Sequence, residues 1–309
     1  MAKPGWSGGK ARGAGGSRDY KLWVPASLEA GKASPLVVLL HGCTQDAEDV
    51  AAISGMNEVA DVNRFLVVYP EQTRFANLMK CWNWFVPRHQ SRDAGEPSIL
   101  AAIVEQVRSD YNVNSDRIYV AGPSAGGAMA VIAGATYPDL FAGIAVVAGC
   151  EFKAATGISG GLGVMKQGGP DPAQQGKAAY EAMKHGLARK ARWRMPVIVF
   201  HGTADATVHP VNAQQIIAQW SGTNACLAAA RDENGFALSE EVVPGQVPSG
   251  HAYQRRTYSD QAGQLLMESW MVEGMGHAWP GSPQPYKYGD PKGPNASAEI
   301  WRFFTETTR

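Results

Sequence analysis

Two patterns of apolar positions divide the chain into short segments. Continuous apolar runs, as at residues 35–40 and 196–200, are typical of strands buried on both faces of a sheet. Apolar residues at helical spacing, as in 99–107, favour a helix. The patterns predict strands at 20–24, 35–40, 65–69, 117–121, 144–148, 196–200 and 265–272, and helices at 99–107, 128–135, 213–220 and 296–304. This alternation predicts an α/β fold with a mostly parallel central sheet and helices on both faces.

Three segments depart from the pattern. Residues 1–16 hold six glycines and no apolar run, which predicts a flexible lead-in and not a signal peptide. Residues 17–309 then form a single domain. Within it, residues 151–194 are rich in Gly, Gln and Lys, and we expect an insertion or lid at the top of the sheet, an ordinary long connection being the alternative. Residues 232–263 are polar and turn-rich, which is compatible with a hairpin.

Charge and hydropathy weigh against several classes of protein, namely nucleic-acid-binding and membrane proteins. The 28 Lys and Arg residues balance the 28 Asp and Glu residues, which weighs against nucleic acid or an anionic membrane surface as the main partner. The longest apolar runs are about ten residues, too short to span a bilayer. A hydrophobic content of 45% over 309 residues is enough for a large core. A globular enzyme or binding module remains.

The four cysteines are not arranged as metal ligands. Cys43, Cys81, Cys150 and Cys226 form no C-x-x-C pair, and no histidine lies at zinc-finger spacing, so we expect no metal site. Two disulfides in any of three connectivities and four buried thiols are both compatible with these residues.

One serine lies where a strand turns sharply into a helix. Residues 122–126 fit G-x-S-x-G around Ser124, but the same pattern surrounds Ser7 and Ser159. A nucleophile elbow needs a strand before the serine and a helix after it, and among the three only Ser124 has both. A tight turn without a catalytic task is the alternative for Ser124. A serine nucleophile needs a base and an acid that orients the base.

The acid and the base are expected after later strands. In α/β-hydrolases they follow the serine in the order acid, then histidine. Asp205 lies just past the predicted strand 196–200, and His277 follows strand 265–272 in a glycine-flanked loop. Asp139 and Asp260 are the rivals of Asp205. Of the other histidines, we expect His201 to be structural and three to be surface residues: His185, His209 and His251.

The oxyanion of a tetrahedral intermediate needs two donors. We assign the backbone N–H of Ala125, which follows the nucleophile, and that of Cys43, which follows the strand at 35–40. Three tryptophans, Trp82, Trp84 and Trp279, are candidates for lining an apolar substrate cleft, with core packing as the alternative.

Five motifs together resemble the polyhydroxybutyrate depolymerase-type esterase family, which is related to feruloyl and acetylxylan esterases. They are LLHGCTQ at 39–45, CWNWF at 81–85, RIYV at 117–120 before the Ser124 turn, HGTAD at 201–205 and GMGHAW at 274–279. The resemblance runs from about residue 18 to the C terminus. One position departs from it, because the residue before the serine is often leucine in the family and is Pro123 here.

The resemblance implies the α/β-hydrolase fold and a set of site residues. It implies Ser124, Asp205 and His277 as catalytic triad and Cys43 with Ala125 as oxyanion hole. It also implies a Cys43–Cys81 disulfide, and Cys150–Cys226 would then be the second bridge because these two cysteines remain.

The implied activity is hydrolysis of carboxylic esters through an acyl-enzyme, without a metal or organic cofactor. The expected substrate is poly(3-hydroxybutyrate) or its oligomers. Feruloyl or acetylxylan esterase activity, a non-catalytic polymer-binding hydrolase scaffold, and acyl transfer to an acceptor other than water are the alternatives. We expect a polyester or small ester as partner and neither nucleic acid nor membrane. The implied disulfides favour a secreted or periplasmic location.

Overall fold

The fold is organised around a large central sheet. The computed structural model describes residues 4–29, 31–187, 194–233 and 235–307. The strands of the sheet are β1 (Gly5–Gly13), β2 (Gly16–Val24), β3 (Ser34–Leu39), β4 (Leu66–Pro70), β5 (Val113–Pro123), β6 (Ile144–Val147), β7 (Val197–Gly202), β8 (Ser239–Gln246), β9 (Ala252–Ser259) and β10 (Leu265–Val272). Their order across the sheet is β1-β2-β4-β3-β5-β6-β7-β10-β9-β8. The central strands from β4 to β10 are parallel, and the pairs at both edges are antiparallel.

Helices cover both faces of this sheet. They are α1 (Ala47–Ser54), α2 (Met56–Asn63), α3 (Gly95–Asp110), α4 (Ala125–Thr136), α5 (Ile158–Gln167), α6 (Pro172–Leu187), α7 (Val211–Ala229) and α8 (Ala296–Thr307). Side chains of β3 alternate between two cores: Leu36 and Val38 join the one with α3, α4 and α7, and Val37 and Leu39 join the one with α1 and α8. All six residues of β3 are buried, as a strand between two helical layers requires.

The periodicity located the central elements correctly. Every predicted strand and helix overlaps an observed one, and the strand at 265–272 has the predicted bounds. The mostly parallel central sheet with helices on both faces is the predicted α/β architecture. None of the helices within the described residues is both long enough and apolar enough to cross a membrane.

The N-terminal segment is not the flexible lead-in that its composition predicts. Residues 5–13 form β1, which pairs with β2 along its whole length, while residues 1–3 lie outside the described part. Glycine is needed where this hairpin crosses α3, because a Cβ on Gly13 would lie 2.2 Å from the carbonyl oxygen of Ser98. Backbone pairing and close packing, which apolar periodicity does not report, order this segment.

The predicted insertion at 151–194 consists largely of α5 and α6, with residues 188–193 outside the described part. Polar side chains of α7 hold it. Asn212 donates to the carbonyl of Val164 (3.0 Å), Gln215 bonds both backbone groups of Gly169 (2.7 and 3.1 Å), and Gln219 accepts from the N–H of Phe152 (3.3 Å). Only a few apolar side chains of α5 and α6, among them Val164, Ala179 and Met183, join the core, so the segment carries little of the apolar signal that located the other helices.

The turn-rich stretch at 232–263 does contain a hairpin. Strands β8 and β9 pair antiparallel in perfect register from Ser239–Ser259 to Gln246–Ala252, and Asn234 lies outside the described part. A further short parallel pair, β11 (Trp279–Pro280) and β12 (Gly289–Asp290), follows the loop that carries His277.

Candidate active site

Ser124 lies at a strained turn at the carboxyl edge of the sheet. It joins β5 to α4 with φ 54° and ψ −122°, and its N–H donates to the carbonyl of Val147 at 2.8 Å. Non-glycine residues rarely adopt positive φ, and such strain is concentrated at functional sites. The turn also needs a glycine beside it, because a Cβ on Gly126 would lie 2.4 Å from the carbonyl oxygen of Leu40. The competing serines lie elsewhere, Ser7 in β1 and Ser159 in α5.

Two loops bring Asp205 and His277 together. The loop after β7 is bonded to the loop after β10 by Thr203 N–H to the carbonyl of Val272 (2.9 Å) and Ala204 N–H to that of Met275 (3.0 Å). As a result, Nδ1 of His277 lies 2.7 Å from Oδ2 of Asp205. The aspartate side chain is fully buried and the histidine side chain is 14% exposed.

The environment of Asp205 keeps its carboxyl group ionised. Burial alone raises the pKa of this carboxyl, but hydrogen bonds from His201 and His277 and from backbone N–H groups lower the pKa more, to well below its ordinary value. The N–H groups of Thr207 and Val208 donate to Oδ1 at 2.8 and 2.9 Å. An ionised carboxylate only accepts, so Nδ1 of His277 carries the hydrogen and Nε2 is left as an acceptor. This is the tautomer that a general base needs.

The predicted oxyanion donors lie beside Ser124. Ala125 is the first residue of α4, and the first N–H groups of a helix have no acceptor within it. Cys43 lies in the loop after β3, the neighbour of β5 in the sheet. Among the described residues, no hydrogen bond is recorded for the backbone N–H of either residue.

A disulfide and a buried carboxylate fix the loop that carries Cys43. Cys43 is bonded to Cys81, so the predicted bridge is present. The Cys81 loop is in turn held by Gln72, which donates to the carbonyl of Cys81 at 3.1 Å, and by the fully buried Glu96, which accepts from the Asn83 backbone N–H at 2.7 Å and side-chain amide at 2.7 Å.

The second implied disulfide is wrong, because the structure leaves Cys150 and Cys226 as free thiols. Cys150 follows β6 at the carboxyl edge of the sheet. The C-terminal part of α7 lies at the opposite edge, where Asn224 accepts from the N–H of Met195 just before β7 (3.3 Å). Gln219 of α7 accepts from the N–H of Phe152, two residues after Cys150, and Cys226 lies seven residues beyond Gln219, about 10 Å further along the helix axis. A bridge cannot span that separation.

A cavity of about 150 Å³ opens at the serine. Its lining includes Ser124 and His277, their neighbours Pro123, Ala278 and Trp279, and residues from five other segments: Gly42, Cys43, Gln45, Val147, Ala148, Met165, Thr207 and Tyr288. The sequence analysis did not identify Met165 and Tyr288, two lining residues on segments that were not predicted to belong to the site. Met165 lies in a helix that the pattern did not locate, and Tyr288 in a loop with no motif, so neither carried a signal that would have found it.

Only one of the three candidate tryptophans lines this cavity. Trp279 does so, although it is 1% exposed. Trp82 is fully buried and donates from Nε1 to the carbonyl of His41 at 3.1 Å, beneath the Cys43 loop. Trp84 is buried and packs edge-to-face on Phe85, with ring centroids 5.5 Å apart. Trp82 and Trp84 therefore pack in the core, which was the alternative to a role in lining the substrate cleft.

The rival residues have other partners. Asp139 forms a bidentate pair with Arg92 (2.6 and 2.8 Å), and Asp260 pairs with Arg194. His201 is fully buried and its Nε2 contacts the carbonyl of Val208 at 2.8 Å. His251 is bonded to Asp290, away from the serine. His209 lies just before α7 and His185 lies in α6, neither of them in the cavity lining.

Comparison with known proteins identifies a family and a fold. Residues 18–244 match the family described as Esterase PHB depolymerase. The chain is 31% identical over 84% of its length to poly(3-hydroxyalkanoate) depolymerase C of Paucimonas lemoignei, of which it spans 58%. It is 28% identical to feruloyl esterase B of Neurospora crassa, covering 85% of this chain and 84% of that protein. The solved acetyl xylan esterase from Aspergillus awamori superposes with a TM-score of 0.66 at 21% identity, over 84% of this chain and 89% of that one.

Proposed function

Since the chain belongs to the Esterase PHB depolymerase family, we propose that it is a serine hydrolase of carboxylic esters that works through an acyl-enzyme. The observation that carries the proposal is the 2.7 Å contact between His277 and the ionised Asp205, at a cavity that Ser124 and His277 both line. This is the arrangement in which a serine hydroxyl becomes a nucleophile at neutral pH.

Each proposed role follows from the position of one group. Nε2 of His277 takes the hydroxyl proton as Ser124 attacks the ester carbonyl carbon. Asp205 holds the imidazole and stabilises its protonated form. The N–H groups of Cys43 and Ala125 donate to the oxyanion, and losing one such donor typically costs about 2.7–4 kcal/mol of barrier. His277 then protonates the departing alkoxide, and water, deprotonated by His277, releases the acid from Ser124.

A polyester, poly(3-hydroxybutyrate) or its oligomers, is the proposed substrate. The similarity to a poly(3-hydroxyalkanoate) depolymerase supports it. A second support is the exposed apolar side chains on two segments, one bonded to the Cys43 loop through the Met79 carbonyl, which accepts from the Thr44 N–H at 2.6 Å, and the other α5, which carries Met165. Phe75, Leu78 and Met79 precede Cys81, and Ile158 and Leu162 lie on the helix that carries Met165; their exposures range from 57% for Met79 to 105% for Phe75. Exposed apolar clusters of this kind mark binding surfaces, and an apolar solid is a suitable occupant.

The Cys43–Cys81 bridge supports the further proposal that the chain works in an oxidising compartment, outside the cell or in the periplasm.

The test is release of 3-hydroxybutyrate from amorphous poly(3-hydroxybutyrate), run beside p-nitrophenyl butyrate, methyl ferulate and acetylated xylan. Ser124→Ala is the control and is expected to abolish every activity of the unmodified chain. Turnover of the polymer is the expected result. Turnover of only the feruloyl or acetyl esters would keep the mechanism and replace the substrate. Polymer binding without any turnover would favour the non-catalytic scaffold, and product analysis with added alcohol would reveal acyl transfer.

A further inference from the structure

The directions around Ser124 are fixed by the order of the strands. At the carboxyl edge, the Cys43 loop follows β3 on one side of β5, and β6, β7 and β10 follow on the other side. The ester oxygen that becomes the oxyanion points toward Cys43, and the departing alkoxide must reach His277, which follows β10. The direction left for the acyl group passes over the end of β6, where Val147 and Ala148 line the cavity and are buried.

Met165 lines the cavity from this side, because its carbonyl accepts from the N–H of His209, which follows β7, the neighbour of β6. It comes from outside the proposed catalytic machinery. It is the one residue of the described part of the 151–194 segment in the cavity lining. The other candidate for limiting the size of the substrate is Tyr288, which also lines the cavity. It is 38% exposed and packs edge-to-face against His277, with ring centroids 6.3 Å apart. Tyr288 therefore borders the side by which the alcohol leaves.

The backbone that carries Met165 is fastened to the loop that carries Asp205. Three successive residues of α5 are bonded to residues 206–212. Asn212 donates to the Val164 carbonyl at 3.0 Å, the His209 N–H donates to the Met165 carbonyl at 2.7 Å, and Lys166 donates to the Ala206 carbonyl at 3.0 Å. The start of the helix is held as well, because the N–H of Gly157 donates to the carbonyl of Phe85 at 2.6 Å.

These contacts make α5 a fixed wall of the cavity. We propose that Met165 limits the length of the acyl group that the site accepts, an inference that rests on the proposed esterase function. The backbone cannot retreat without breaking its bonds to residues 206–212, so the space for the acyl chain depends on the Met165 side chain. An unbranched thioether side chain fills such a gap closely and still adapts to small differences in shape.

The experiment compares kcat/KM for p-nitrophenyl acetate, butyrate, hexanoate and octanoate. Met165→Ala removes three heavy atoms from the wall and is expected to raise the octanoate-to-acetate ratio by about tenfold or more, the scale of discrimination for methylene groups in an apolar pocket. Met165→Phe is expected to lower that ratio. Gln167→Ala, two residues later on the exposed surface of the same helix, is the matched control and is expected to leave the ratio unchanged within about twofold.

A second series separates the two ends of the ester. Ethyl, benzyl and naphthyl butyrate vary the alcohol at constant acyl length, and their relative rates are expected to be the same in the Met165 variants and the unmodified chain. A change confined to this series would overturn the inference, because Met165 would then face the alcohol. Met165→Leu conserves the volume and is expected to keep the acyl ratio, so a change in Met165→Ala with retention in Met165→Leu excludes loss of folding as the cause.

The same measurements distinguish a failure of this inference from a failure of the proposed esterase function. An active unmodified chain whose acyl ratio is the same in Met165→Ala and Met165→Phe would overturn the role of Met165 alone. An unmodified chain without activity on any of these esters would overturn the proposed esterase function and this inference with it.

Discussion

Replacing Glu151 with glutamine is expected to remove a large pH dependence from the stability of the protein. Glu151 follows Cys150 at the carboxyl end of β6 and is 1% exposed. Within the described residues, neither carboxylate oxygen has a hydrogen-bond partner. Burial, together with the charge of Asp171, raises the pKa of the carboxyl from its ordinary 4.5 to about 8. At neutral pH the folded protein therefore holds this carboxyl in its protonated form.

The sign and size follow from linkage between protonation and folding. The pKa is higher in the folded chain than in the unfolded one, so the folded state binds more protons between pH 4.5 and 8. The stabilising effect of protonation is complete below about pH 4.5 and is lost as the pH rises to about 8. At ~1.4 kcal/mol per pH unit, a shift of about 3.5 units corresponds to a loss of roughly 5 kcal/mol. That loss is comparable to the whole stability of many domains.

Urea unfolding at pH 5, 6, 7 and 8 measures this effect. Relative to Glu151→Gln, the unfolding free energy of the unmodified chain is expected to fall by ~1.4 kcal/mol per pH unit across this range. Glu241→Gln is the matched control, because it makes the same chemical change at an exposed residue of β8. Parallel curves for the unmodified chain and Glu151→Gln would refute the reasoning, since they would mean that the carboxyl ionises equally in both states.

Three other changes test the site. Asp205→Asn should lower kcat on p-nitrophenyl butyrate by about 10⁴ with the fold retained, because the amide favours the wrong histidine tautomer; a loss below tenfold would contradict the proposed role. Replacing Cys43 and Cys81 with serine opens a bridge with a sequence separation of 38, so urea unfolding should show a loss of about 4 kcal/mol, and kcat should fall at least ~10-fold as the oxyanion loop loosens. Phe75→Ser with Leu78→Ser should reduce polymer hydrolysis severalfold and leave p-nitrophenyl butyrate unaffected; equal losses on both substrates would disprove a surface role.

The parts of the fold that could be predicted from the sequence are those in which apolar side chains decide the structure. The parallel strands are buried on both faces, so their sequences are short continuous apolar runs. Ser124, Asp205 and His277 each follow such a strand, and chain order alone was enough to place them at one edge of the sheet. Asp205 and His277 are in hydrogen-bond contact there.

The parts that could not be predicted are ordered by other forces. Strand β1 depends on backbone pairing with β2 and on glycines that allow close approach to α3, so its composition is that of a flexible segment. The free Cys150 and Cys226 show a different limit: a pairing assigned because two cysteines remain does not report that one thiol lies at the opposite edge of the sheet. Burial of Trp82 depends on the His41 carbonyl, 41 positions away in the sequence.

The proposed catalytic residues lie on elements fixed by apolar packing, whereas the residue proposed to set specificity lies on an element held by hydrogen bonds. The candidate triad rests on β5, β7 and β10, which apolar packing fixes on both faces of the sheet. The wall that holds Met165 rests on hydrogen bonds between α5, residues 206–212 and the polar face of α7. A substitution on that polar face moves the wall without disturbing the strands beneath the serine. Substrate preference can therefore change in this chain while the hydrolytic chemistry is retained, and the 151–187 segment is the place where such changes are expected to have their effect.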